Sequence, residues 1–311
     1  MIRIRAGGKV TSCLVAAALW AISISLFRPL IARFGPAPVN FFKCAFASVA
    51  YFAWLALAGR LAGLAALDPG AIGQLALSGF VGMAIGDSLL FSAVEAGGVQ
   101  RTLVIYNSAP LMTALLAWAA GGAVPSAQVW LGMVLVVLGV GLVETDPARP
   151  RATPGGAGSG TGASRPDARA LRWTVIAALG AALGQATGLL LMQQPLQSVP
   201  IVEASLVRLA AAGAGVFVLL ALRRGGSAEL TRMGPRTWPA LALPSAVGTV
   251  IAVIFMMQGV RDLPPGIAAA LLGTTPLFSL PISRFVLAEP VGVRSLAGTS
   301  LAVLGVALFA L

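Results

Sequence analysis

The chain has 311 residues, 58% of them hydrophobic and only 10% charged, with a net charge of +11. Soluble domains carry roughly 25% charged residues, so this composition excludes a soluble globular protein and points to an integral membrane one. The 21 basic residues are scattered among short connections with no aromatic-interleaved basic run, which excludes a nucleic-acid surface.

A hydrocarbon core takes about 20 apolar residues per helical crossing. Ten such stretches follow one another: 11–31, 38–59, 71–93, 99–120, 126–144, 171–192, 199–222, 239–259, 265–286 and 293–311. Arg3, Arg5 and Lys9 before the first resemble the start of a signal peptide. The apolar run is longer than a signal peptide's, however, and more spans follow, so it is expected to remain as the first span. Cys13 and Cys44 fall inside predicted helices and imply no disulfide framework. Pro or Gly marks the tight connections: Gly35-Pro36, Gly97-Gly98, Pro195, Pro264-Pro265 and Glu289-Pro290. Residues 146–170 are rich in Gly, Ser, Pro and Ala with isolated charges, so they cannot bury apolar surface and read as a flexible tether. A second hydrophilic connection covers 223–236. The organisation is therefore a five-helix unit over 1–145, a linker over 146–170 and a second five-helix unit over 171–311, with no room for a sizeable soluble domain.

The two units are copies. From residue 81 onward a shift of 166 lays the first on the second without gaps: Val81-Gly82 falls on Val247-Gly248, Ile85 on Ile251 and Pro110-Leu111 on Pro276-Leu277. Gly132 falls on Gly298, and Val137-Leu138-Gly139-Val140 on Val303-Leu304-Gly305-Val306. Nearer each start the shift is 165, where Lys43 meets Arg208. Five spans per copy make the second enter the membrane from the opposite side, giving an all-α membrane fold of two inverted repeats. Inverted repeats are the usual architecture of alternating-access transporters.

An even span count places both termini on one face, but charge and resemblance disagree about which. With the N-terminus inside, cytoplasmic segments hold five basic residues (Arg3, Arg5, Lys9, Arg60, Arg261). The opposite face then holds twelve: Arg33, Arg101, Arg149, Arg151, Arg165, Arg169, Arg172, Arg223, Arg224, Arg232, Arg236 and Arg294. By the positive-inside rule alone, the termini are outside.

A charge at the centre of an inserting helix costs about 2.5–3.5 kcal/mol on translocon scales, so each needs a reason. Asp87 is the deepest acid, about nine residues and so roughly 13 Å from the Gly97-Gly98 turn. Arg101, just beyond that turn, could reach back to it. Two readings stand: a structural ion pair fixing the hairpin, or a substrate-amine or proton site at Asp87. Lys43 and Arg208 occupy matched places, which suggests a shared architectural task, pairing with a carbonyl cluster or a carboxylate, or else direct substrate contact. Arg28 and Arg284 lie nearer helix ends, where they can snorkel. Glu203 and Glu289 lie near helix N-termini, where the dipole favours a carboxylate. Gly132 and Gly139, like Gly298 and Gly305, repeat on one helical face and allow close helix approach, which could pair two copies of the chain as a homodimer through the fifth and tenth helices.

Several cues recur in a familiar order. Trp20 lies in the first span and Lys43 early in the second. The stretch GDSLLFSAVEAGGVQR bridges the third and fourth, and the Pro-centred NSAPLMTALLAW is followed by LGMVLVVLGVGLV. The second half repeats this with Arg208, TTPLFSLPISRFVLAEP and LAGTSLAVLGVALF. Each half resembles the module of the drug/metabolite transporter superfamily, in its EamA-type branch, over nearly the whole chain except the linker. There are departures: the Gly-Glu expected before the last span of a half survives only as Glu289, with Ala123 at the first-half position, and Gln185 stands where a Trp is expected. The resemblance implies a cell (inner) membrane carrier of metabolites, amino acids or drugs, both termini cytoplasmic, with a cavity lined by the first, third and fourth helices and their repeat mates. On these helices it points to Trp20, Ser23, Asp87, Ser88, Phe91, Tyr106 and Asn107 in the first half. In the second it points to Gln185, Thr249, Met256, Thr274 and Thr275, with Pro110 and Pro276 interrupting their helices nearby. Each polar residue separately could equally be helix-packing glue.

The leading expectation is a secondary carrier exporting a small organic solute. No GxxxxGK[ST] motif is present, which argues against ATP-driven transport by this chain alone, and no cofactor is implied. A lipid or lipid-linked-sugar flippase is the alternative on the same fold. A membrane-embedded lipid enzyme is disfavoured, since the chain has no His and no clustered carboxylates for general base or metal chemistry.

Overall fold

A computed structural model of the chain describes residues 7–97, 99–146, 168–223, 230, 232–286 and 292–309 and, for Arg28, Ala32, Glu95, Val99, Gln100, Arg101, Ser283 and Val286, the backbone alone. The tether beyond Asp146, most of the 223–236 connection, Glu289 and the Arg28 and Arg101 side chains therefore lie outside the described residues.

Span 1 is Gly7–Phe34, and a turn at Gly35 (φ 82°) leads straight into span 2, Pro36–Leu57. Positive φ favours glycine there, and proline in the following first turn costs no helical N–H. After a short helix, Leu61–Ala65, span 3 begins at Pro69 under Asp68, whose carboxylate accepts from Ala71 N–H at 2.8 Å. Span 3 consists of Pro69–Gly79, a π-helical turn Phe80–Ile85, and Gly86–Gly97. Span 4 is broken into Val99–Tyr106 and Ala109–Ala119, and span 5 is Ala127–Glu144.

In the second repeat, span 6 is Ala168–Gln193 and span 7 is Ile201–Leu222. Span 8 consists of Trp238–Ser245, the π-helical turn Ala246–Ile251 and Ala252–Asp262. Span 9 is Pro265–Leu272, Thr275–Pro281 and a π-helical turn Ile282–Val286, and span 10 is Val293–Leu308. Eight described segments are long and apolar enough to cross a membrane, and Val293–Leu308 is a shorter apolar helix. The fragmented span 9 completes two repeats of five.

Two of the irregularities obey the repeat, whereas the π-helical turn at 282–286 answers to the end of the ordinary helix Ala109–Ala119. The π turn at 80–85 returns at 246–251, and the Asn107-Ser108 break returns at Gly273-Thr274, both by 166. At the breaks, Pro110 and Pro276 cannot donate an N–H back to the preceding turn. Hydroxyls take up the loose carbonyls: Ser108 Oγ donates to Ile105 O at 2.7 Å and its mate Thr274 Oγ1 to Leu271 O at 2.6 Å. Thr275 Oγ1 donates to Leu272 O at 2.8 Å, the carbonyl that Pro276 leaves open.

The repeats interlock rather than sit side by side. Span 1 packs on spans 8 and 9, and span 6 on spans 3 and 4. Spans 2 and 7 pair with each other, span 4 meets span 9, and span 5 packs along span 10. In that last interface a Cβ on Gly139 would lie 2.5 Å from Gly298 O, and one on Gly305 would lie 2.6 Å from Gly132 O. This corrects the expectation for these glycines: their faces meet each other inside one chain, so they offer no free face to a second copy. Asp146 strengthens the same interface. Buried at the end of the first repeat, it accepts from Ser295 N–H at 2.9 Å and so caps span 10 of the second.

Candidate functional site

The spans that cross between repeats meet at glycines, and a serine hydroxyl closes each crossing. Span 1 lies against span 8 at Gly248, which faces the Ser23 side chain; Ser23 Oγ donates to Pro244 O at 2.8 Å and Trp20 Nε1 to Gly248 O at 2.8 Å. Span 6 lies against span 3, where a Cβ on Gly188 would fall 3.0 Å from Gly82 Cα; there Ser78 Oγ donates to Gly188 O at 2.6 Å. These bonds are repeat mates with the donor exchanged. Position 23 maps to 188 by the 165 shift and position 78 to 244 by the 166 shift, so the same crossing is closed by span 1 in one copy and by span 3 in the other. An in-plane pseudo-axis exchanges the halves of the membrane, so the two latches lie in opposite halves.

The intramembrane charges sit among these crossings. Lys43 Nζ lies 3.8 Å from Asp87 Oδ2, each side chain about one quarter to one fifth exposed (25% and 20%). Arg208, 3% exposed, donates from Nε to Ser78 Oγ at 3.0 Å, extending the latch to Gly188, and its guanidinium lies beside Gly82. Asp87 is within electrostatic reach of both cations, and Tyr106 of Asp87. The matched cations therefore do different things. Ser78, the partner of Arg208, has Pro244 as its mate, which offers no side-chain acceptor; Lys43 turns to Asp87 instead, and the mate of Asp87 is Val253. A carboxylate partner for Lys43 matches the pairing role expected of it. The partner expected for Asp87 was Arg101, whose side chain lies outside the described residues.

The remaining candidates divide by burial. Trp20, Ser88, Phe91, Tyr106, Asn107, Gln185 and Thr275 are half-buried on the crossing spans. Ser88 spends its hydroxyl on Ala84 O of its own helix at 2.6 Å. Asn107 sits at the span 4 break with its side-chain N–H2 buried and without an acceptor among the described residues. Ser23, Thr249 and Thr274 are buried, the first and last with hydroxyls bonded to carbonyls. Met256, at 2% exposure, packs in the hydrophobic core. At an apolar helical position, sequence cannot tell a core-facing methionine from a cavity-facing one.

Three contributors carry no sequence signal of their own. Tyr51 donates from its hydroxyl to Val250 O at 2.6 Å, inside the span 8 π turn, where widened geometry frees carbonyls. Ser78 was lost among many serines, although its place opposite Gly188 follows from the repeat. Arg60, 2.7 Å from Glu203 Oε1, ties the end of span 2 to the first turn of span 7, where Glu203 was placed. Outside this interior, two shallow apolar grooves face outward, one between spans 4 and 6 (Met112, Leu115, Leu183) and one between spans 3 and 7 (Leu77, Phe80, Val218).

Comparison with known proteins agrees with this geometry. The profile of the EamA-like transporter family matches residues 9–145 and 172–311, both repeats and not the tether. A search of the curated proteins found no match. A solved structure described only as "Crystal structure of protein" superposes with a TM-score of 0.71 over 97% of this chain and 95% of its own, at 15% identity, a likeness that shows the fold alone. With both repeats matched over nearly their full length, the chain belongs to the EamA-like transporter family.

Proposed function

We propose that this member of the family is a secondary-active carrier that exports a small organic solute across the cell membrane by alternating access, with both termini cytoplasmic. The observation behind this reading is the pair of serine latches, Ser23 to Pro244 O and Ser78 to Gly188 O, equivalent by repeat and placed in opposite halves of the membrane. A carrier needs two barriers that open in turn. Each latch is a single hydrogen bond, worth about 0.6 kcal/mol on average between membrane helices, at a crossing held close by glycine. Such a barrier is weak enough to open and specific enough to re-form. Lys43, Asp87 and Tyr106, which lie within electrostatic reach of one another, and Asn107 are the polar groups that this reading assigns to the solute's path.

The test is counterflow in proteoliposomes of the purified protein with a pooled panel of labelled metabolites, amino acids and small drugs. Saturable exchange above empty liposomes is expected. No exchange from protein shown to be folded, with movement of a fluorescent lipid analogue instead, overturns the solute-carrier reading in favour of a flippase.

A further inference from the structure

The described middle of the membrane holds two cations, Lys43 and Arg208, against one carboxylate, Asp87. Asp87, 3.8 Å from Lys43, is also within electrostatic reach of Arg208, so the two cations share one carboxylate among the described residues. An arginine at this depth is expensive, yet Arg208 is 3% exposed and has one hydrogen-bond partner among the described residues, Ser78 Oγ, reached through Nε. The Nη side of the guanidinium, the forked edge that matches a carboxylate, is turned to Gly82, which offers no side chain to it. That edge lies beside Gly82, at the crossing where span 3 meets Gly188 of span 6. Parting this crossing breaks the Ser78–Gly188 bond and bares the guanidinium edge to whatever enters. Another buried donor without an acceptor among the described residues is the Asn107 side-chain N–H2 at the span 4 break.

We propose that Arg208 is the anion-recognition residue of the pathway and that the cargo bears a carboxylate. This rests on the carrier reading above. The anion completes the charge balance that the chain leaves open, two positive against one negative, and accepts from the Arg208 fork in the half-open state. Arg208 then links recognition to opening, because the side chain that receives the anion also holds Ser78. Asp87 works against the anion and sets how tightly it is held, so the site releases what it binds.

The test uses the full chain in nanodiscs and matched probes on two scaffolds: indole-3-acetate, indole-3-acetamide and tryptamine, and butyrate, butyramide and butylamine. Protection against thermal unfolding and counterflow are both read. Carboxylates are expected to protect at concentrations about tenfold below their amides, the worth of one charge-assisted hydrogen bond. Arg208→Gln removes that preference and Arg208→Lys keeps part of it. Asp87→Asn tightens carboxylate binding by about threefold or more, since a nearby like charge is gone; this gain is the decisive readout if Arg208→Gln does not fold. Equal protection by amides or amines, a preference that survives Arg208→Gln, weaker carboxylate binding in Asp87→Asn, or no binding by either carboxylate overturns the proposal. Counterflow of amines or amides alone overturns the anion site and leaves the carrier reading standing, whereas no counterflow by any probe removes both.

Discussion

Ser23 and Ser78 close two helix crossings that the repeat relates, with the donor exchanged: one reaches from span 1 to Pro244 O, the other from span 3 to Gly188 O. Pro244 is the repeat mate of Ser78 and Gly188 that of Ser23, so the two bonds form a matched pair with slightly different chemistry. Arg208 reinforces the Ser78 bond through its Nε, and Trp20 accompanies Ser23 with its own bond to Gly248 O.

Removing either hydroxyl biases the carrier in a stated direction. Ser23→Ala opens the half of the membrane where span 8 begins, and Ser78→Ala opens the half where span 3 begins. Each loses about 0.6 kcal/mol, up to about 1.7 kcal/mol, a population shift of a few-fold. Thiol labelling of cysteines introduced on either side reads it, in a background where Cys13 and Cys44, both buried, have been replaced. Identical labelling patterns in the two alanine variants contradict opposed latches.

Spans 5 and 10 pack closely through their glycines. Gly139→Ala puts a methyl 2.5 Å from Gly298 O and is expected to destabilise by about 1–3 kcal/mol through overpacking. Gly141→Ala on the same helix meets nothing within 4 Å and is expected to be neutral or slightly stabilising. Thermal unfolding of both proteins in detergent decides the matter, and equal midpoints remove the glycine contact as a cause.

Asp146 joins the repeats through one carboxylate at the N-terminus of span 10. Asp146→Ala is expected to lose about 0.5–2 kcal/mol, the usual range for an N-cap, while Asp146→Asn keeps most of it. A tether that acts only as a tether predicts no change in unfolding midpoint for either.

Much of this was legible beforehand. Hydrophobic length marks the spans without ambiguity, and an ungapped shift marks the repeat, so Lys43 could be paired with Arg208 before any coordinates. The π turns were not visible, because no proline or glycine pattern distinguishes the widened turn at 80–85 from ordinary helix. Nor was the Lys43–Asp87 pair, since a contact between two helices leaves no periodic trace in either. The glycine faces are a further case. Gly139 meets Gly298 and Gly305 meets Gly132, two contacts that the repeat exchanges, and the spacing alone did not say that these faces meet inside one chain.

Asp87, paired with Lys43 inside the helical bundle, is the carboxylate we propose for coupling to protons. Asp87→Asn is expected to abolish pH-driven flux while leaving counterflow intact, because counterflow needs both barriers to open but no net proton movement. Normal pH-driven flux in this variant removes the proton role and leaves Asp87 as the partner of Lys43 alone.

Tyr51 supports the span 8 π turn through its bond to Val250 O. Tyr51→Phe keeps the ring and loses about 1 kcal/mol, the net worth of a typical hydrogen bond. Its effect should fall on exchange rate more than on affinity, since the residue touches the moving span and no cargo. A change confined to apparent affinity, measured by counterflow at several substrate concentrations, contradicts that assignment.

The most direct test of the whole account follows both barriers at once. Spin labels are placed at Arg33 and Trp238, where spans 1 and 8 meet one face, and at Ala66 and Gln194, where spans 3 and 6 meet the other. Distances are measured by pulsed electron resonance in nanodiscs, with and without a solute that exchanges in counterflow. The account predicts opposed changes: conditions that lengthen one pair shorten or leave closed the other. Both pairs lengthening together describes a channel, and neither pair moving while solute exchanges places the pathway elsewhere; either result contradicts alternating access through these two crossings.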